Sequence, residues 1–135
     1  MKNRKGFTLV ELMVVVLIVG ILAAVAVPLM SGRLDSAKWS EANAGAGTIR
    51  SAVRAYYAQD ATAAQALSGA LSVAATQNAL GFTAADLTGT YFVPGDFVID
   101  SVNANGIAAI TVTGSTSDAP SGSYTLAVDG SWTKN

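Results

Sequence analysis

The distribution of apolar and polar positions divides the chain into three stretches. From Leu12 to Gly32 no residue is charged, and Leu12 to Met30 is almost wholly aliphatic. About 20 such residues suffice for a helix to cross a hydrocarbon core of roughly 30 Å. The helical pattern continues beyond Pro28 with a different surface. Ala42, Ala46, Ile49, Val53 and Tyr57 recur at spacings of 4, 3, 4 and 4, one apolar stripe of an amphipathic helix, with Arg50 and Arg54 expected on its solvated side. Helix is therefore expected from Phe7 to about Ala58, apolar all round in its first half and on one side in its second.

After Ala61 the period changes. Ala61 to Thr88 is rich in Ala, Thr, Gln and Leu and nearly uncharged, which suggests one or two short helices and turns, including Thr83 to Leu87 capped by Thr83. Tyr91-Phe92-Val93 and Phe97-Val98-Ile99 flank the turn signal Pro94-Gly95. Ile107 to Thr113 and Tyr124 to Val128 are β-rich runs, and Asp129-Gly130 is a tight-turn pair leading to Trp132. The fold class expected is α+β: a long N-terminal helix packed by its amphipathic half on an antiparallel sheet of three or four strands.

Composition removes whole classes of chemistry. The chain has 135 residues, enough for one small domain, and contains neither cysteine nor histidine. No Cys/His zinc site, histidine-based nucleophile or disulfide can be built. Hydrophobic residues make up 51% and charged residues 13%, which fits a chain that spends part of its length in lipid or against other subunits. Lys2, Arg4 and Lys5 crowd the start, whereas from Gly6 onward five basic residues face nine carboxylates. No basic patch interleaved with aromatics suggests nucleic-acid binding. The basic start should stay cytoplasmic, with the C-terminal part outside.

Two residues are odd for a plain anchor. Glu11 stands at the head of the apolar run, where a carboxylate is costly, and Pro28 cannot donate a helical hydrogen bond near its end. An ordinary secretory signal would use Lys2 to Lys5 as its basic region and Ala24-Val25-Ala26 as its cleavage site, leaving a secreted or signal-anchored binding module. That alternative assigns no role to Glu11.

The junction Lys5-Gly6-Phe7-Thr8-Leu9-Val10-Glu11-Leu12 resembles the class III signal of type IV prepilins and type II secretion pseudopilins. The resemblance implies that a prepilin peptidase removes leader residues 1–6 by cutting between Gly6 and Phe7, after which the Phe7 amine is methylated. It implies residues 7–30 as a membrane and assembly helix, with residues 31–135 as the exported domain. It further implies storage as a single-span protein of the inner membrane. An assembly ATPase and a platform protein would then extract the chain into a helical homo-oligomeric filament, periplasmic or extracellular. Gly20 and Pro28 fall where helix-loosening residues occur in that family. In a staggered bundle, Glu11 of one subunit can meet the Phe7 amine of a neighbour, and the cost of an unpaired buried charge makes that pairing specific for register. Gly20 and Ala24 form a small-xxx-small pair that permits close helix approach.

Other candidates are weaker. Asp96, Asp100, Asp118 and Asp129 sit in or near C-terminal turns, and Asp118 and Asp129 are the weak candidates for a calcium site. The major pseudopilins bind calcium in their last loop, whereas Ser115 to Gly122 here offers a single carboxylate. Tyr56, Tyr57, Trp39 and Trp132 read as packing between helix and sheet, or as a binding platform. Nothing in the sequence points to catalysis or a resident cofactor.

Overall fold

The computed structural model describes residues 6–135; the basic leader residues Lys2, Arg4 and Lys5 lie outside them. Contacts divide the chain near Ser36, the second unit comprising Ala37–Asn135. A single helix, α1, runs over Leu9–Gln59, including Pro28. Asp60 caps the short α2 (Ala61–Gln65), its carboxylate accepting the Ala63 N–H at 2.9 Å. Helix α3 (Ala74–Leu80) ends at Gly81, whose φ of 73° is a left-handed cap that glycine adopts without strain.

The strands are β1 (Gly69–Ala70), β2 (Phe97–Val102), β3 (Ala108–Thr113), β4 (Ser123–Leu126) and β5 (Trp132–Lys134). They form one sheet in the order β1-β2-β3-β4-β5, with every neighbouring pair antiparallel. The antiparallel sheet was legible in the sequence, but its strand count exceeds the three or four expected. The addition is β1, whose Gly69 and Ala70 carry no strand propensity and pair only because β2 presents an edge to them.

Tyr91-Phe92-Val93 has the composition of a strand and does not form one. The Tyr91 and Phe92 N–H groups donate to the Glu41 carboxylate, and the Val93 N–H donates to Asp96. The segment's donors are thus met by side chains, while Phe92 fills the core. Pro94–Asp96 forms a single 3₁₀ turn into β2. Ala84–Leu87 is likewise a 3₁₀ helix, begun at Thr83 with reciprocal bonds between Thr83 and Asp86.

One layer of the core is the α1 stripe Trp39, Ala42, Ala46, Ile49 and Val53, and the facing layer includes Phe97, Ile99, Ile110, Val112 and Leu126. In β3 burial alternates strictly over Ala108 to Val112, as a half-buried strand requires. Tyr57, expected to end the stripe, is only half-buried; its hydroxyl donates to the Ala104 carbonyl at 2.6 Å. Trp39 packs its ring against Phe92, Tyr124 and Trp132 at centroid distances of 5.3, 4.5 and 6.4 Å. This pair of tryptophans therefore belongs to the helix–sheet packing.

Arg50 departs from the solvated face expected of it. It is half-buried, and its guanidinium donates to the carbonyls of Ala108, Leu126 and Ala127. Arg54 is exposed, as the periodicity suggested.

Candidate functional site

The head of α1 is built by a local sequence rule. Thr8 precedes the first helical residue, and its hydroxyl accepts the Glu11 N–H at 3.3 Å. Glu11 reciprocates through one carboxylate oxygen, which accepts both the Thr8 N–H and the Thr8 hydroxyl at 2.8 Å. This is a capping box, and it satisfies donors that the first turn of a helix otherwise leaves open. The negative charge also sits at the positive end of the helix dipole. The signal was present in the sequence as Thr8-x-x-Glu11 ahead of an apolar run, yet the sequence pointed to Glu11 only as a charge partner of the Phe7 amine, in its own chain and in a neighbour. Inside one chain its first partner is Thr8.

Gly6 and Phe7 lie just before this box, and Phe7 is 81% exposed. Beyond Glu11 the helix surface is aliphatic on every side, with Leu12, Val16, Leu17 and Ile21 all more than half exposed. Helix α1 is long and apolar enough to cross a membrane, with a mean hydropathy of 3.0 in its most apolar 18-residue window. Gly20 has open space where a Cβ would stand, and Pro28 removes one N–H from the helical ladder. Nearby, the Ser31 hydroxyl bonds back to the Val27 carbonyl at 3.1 Å.

The aspartates proposed above as calcium ligands do not converge. Asp96 is buried beneath its own turn and accepts the Val93 N–H at 3.0 Å. Asp100 accepts from the Thr111 hydroxyl at 2.8 Å. Asp129 accepts from the N–H and hydroxyl of Ser131, and these bonds, the backbone one foremost, hold its carboxyl below the usual aspartate range. Asp118 is exposed, and its main-chain carbonyl is taken by Lys38. Among the described residues no three acidic side chains come together as a metal ion would need.

Residues 1–27 match the family model described as the prokaryotic N-terminal methylation motif. The chain is 35% identical over 109 residues to the fimbrial protein EcpC of Eikenella corrodens, a match covering 81% of this chain and 63% of that protein. It is 54% identical over 54 residues to the type IV major pilin PilE1 of Neisseria gonorrhoeae, covering 40% of this chain and 33% of the pilin. It is 48% identical over 50 residues to the type IV narrow pilus major component PilA5 of Thermus thermophilus, covering 37% and 43%. The chain therefore spans less than two thirds of the length of these curated relatives. Its methylation motif, the apolar helix that the motif opens and these matches make the chain similar to the type IV pilins.

Proposed function

We propose that this chain is the structural subunit of a type IV pilus-like filament, made as a membrane-stored precursor. In this reading a prepilin peptidase cuts between Gly6 and Phe7, and the new Phe7 amine is methylated. The subunit waits in the inner membrane as a single span, residues 7–30. An ATPase and a platform protein then extract it into a homopolymer in which Glu11 meets the Phe7 amine of a neighbour. The observation that carries this reading is the position of the Thr8–Glu11 box between an exposed Phe7 and a helix whose following turns present only apolar side chains. A carboxylate at that place serves registration, because a filament core that buries it must supply a cation in one staggered position. Gly20 and Pro28 supply the local looseness that packing such helices around one another demands.

The mass of the N-terminal peptide of the native protein tests the processing. A peptide that begins at Phe7 with one added methyl group is expected. A start at Val27 would mean that ordinary signal peptidase removes the span, leaving a secreted module and no filament mechanism. The pairing is tested separately with Glu11→Leu, which should leave the protein in the membrane and abolish filaments. Filaments at normal yield from that variant would refute the pairing. The relatives named above are pilus proteins, which favours a pilus over a type II secretion pseudopilus.

A further inference from the structure

The tip of the β2–β3 hairpin is Asn103-Ala104-Asn105-Gly106-Ile107, closed by the Asn103 N–H donating to the Ile107 carbonyl at 3.0 Å. Inside it the Gly106 N–H donates to the Asn103 carbonyl at 3.0 Å. The Asn103 side-chain oxygen accepts the N–H groups of Asn105 and Ile107 at 3.0 and 2.9 Å. Gly106 is buried with a φ of 73°, the left-handed position that a short hairpin loop reserves for glycine. It also packs against Tyr57 of α1. A Cβ on Gly106 would stand 2.5 Å from the Tyr57 ring, and the Tyr57 hydroxyl donates to the Ala104 carbonyl at 2.6 Å. Turn and helix contact therefore both demand glycine here. Neither demands asparagine before it, for Asn105 is exposed and its side-chain amide bonds to no other described residue.

An asparagine followed by glycine carries a reaction of its own. Glycine has no side chain to hinder its nitrogen, so that nitrogen, on losing its proton to water, can attack the preceding Cγ. A C–N bond forms, ammonia leaves and a five-membered imide results. Water then opens the imide at either carbonyl, giving aspartate or its isomer with the main chain routed through the side chain. The balance is amide plus water to carboxylate plus ammonia, with no oxidant, reductant or enzyme. In the folded hairpin the attacking nitrogen is spent as a donor to Asn103, and the turn that aims it is clamped to Tyr57. We propose that Asn105–Gly106 is a self-modification site, latched by Tyr57 and Asn103 and converted one way when the tip opens. The isomerised product carries a new negative charge and a longer chain between Ala104 and Gly106, the two residues that Tyr57 holds. Nothing in this inference depends on polymerisation, so it can fail while the filament reading stands.

The test holds the full chain in detergent micelles in mildly alkaline buffer and follows the Asn105 peptide by mass for amide-to-acid conversion. The native chain should convert at least about tenfold more slowly than the same chain in denaturant, because conversion waits on local opening. Tyr57→Phe removes only the hydroxyl and should speed conversion about fivefold, the factor one neutral hydrogen bond sustains. Asn103→Ala removes the acceptor of two N–H groups and should speed it by at least as much. Hydrogen exchange at Ile110, unchanged in both variants, separates opening of the tip from loss of the fold. Should one variant also expose Ile110, the other carries the comparison. Conversion of the native chain as fast as in denaturant, no conversion in denaturant, or an unchanged rate in a variant that keeps Ile110 protected would overturn the proposal.

Discussion

The two halves of α1 share one backbone geometry and present opposite surfaces. In the first half, Leu12 to Met30, every large apolar side chain is about half exposed or more. In the second, Ala42, Ala46, Ile49 and Val53 are fully buried while the helix faces between them stay open. Helical periodicity is absent from the first half and clean in the second. A helix that is apolar all round needs an apolar medium on all sides, whereas a striped helix needs a sheet on one. The same residue type therefore has a different value at each end. In the second half an aliphatic side chain is buried within the chain and stabilises it, whereas in the first it stays exposed.

The largest expected break in this comparison comes from deleting like for like. Ile49→Ala should lower the stability of the unit Ala37–Asn135 by about 2–5 kcal/mol, through lost burial and the cavity left behind. Ile18→Ala should leave the melting of that unit unchanged, because Ile18 is 52% exposed within the subunit. Equal losses from the two variants, measured by denaturant unfolding of the full chain in micelles, would erase the distinction.

Glycine sharpens the same contrast within the second half. A Cβ on Gly45 would lie 2.7 Å from the buried Phe97 ring, whereas at Gly47 it would meet open space. Gly45→Ala is expected to destabilise by about 1–3 kcal/mol through overpacking. Gly47→Ala should stabilise by up to about 1 kcal/mol through helix propensity. Thermal melting of the two variants checks the opposite signs.

The smallest effect is electrostatic. Side-chain and backbone bonds from Thr83 hold the Asp86 carboxyl below its ordinary value in the folded state. The unfolded chain then binds the proton more readily than the folded one, so Asp86 contributes stability above the ordinary aspartate value of about 3.9, and this is lost as pH falls through the lower folded value. Melting followed from pH 6 down to 2 should show a steeper acid decline in the native chain than in Asp86→Asn. Identical slopes would remove the contribution. The residue is exposed, so the difference should be slight.

Much of this molecule could be read from local pattern. The apolar run, the buried stripe from Ala42 to Val53 and the strands carrying Phe97, Ile110 and Tyr124 all follow from side-chain period, which neighbouring residues report directly. The capping box at Thr8 and Glu11 was equally local and needed only the second function of Glu11 to be recognised. The turn at Asp129-Gly130 holds as expected, with Gly130 at a φ of 92°.

Other features had no local trace. Tyr91 to Val93 has strand composition, and what denies it a strand is a carboxylate on Glu41, 50 residues earlier. Arg50 occupies the polar arc of its helix, so its period predicts solvent. Only the folded sheet brings the carbonyls of Ala108, Leu126 and Ala127 within its reach, and the burial that results pulls its pKa down while nearby Asp129 opposes the shift. The aspartates of the C-terminal turns suggested a shared cation, yet the carboxylates of Asp96, Asp100 and Asp129 each bond within their own neighbourhood. The sequence alone determined which helix surface is apolar and where the chain turns, because those depend on residues a few positions apart. Tertiary structure decided which main-chain atoms receive each charge, because hydrogen-bond partners 50 to 80 residues away share no pattern until the chain has folded.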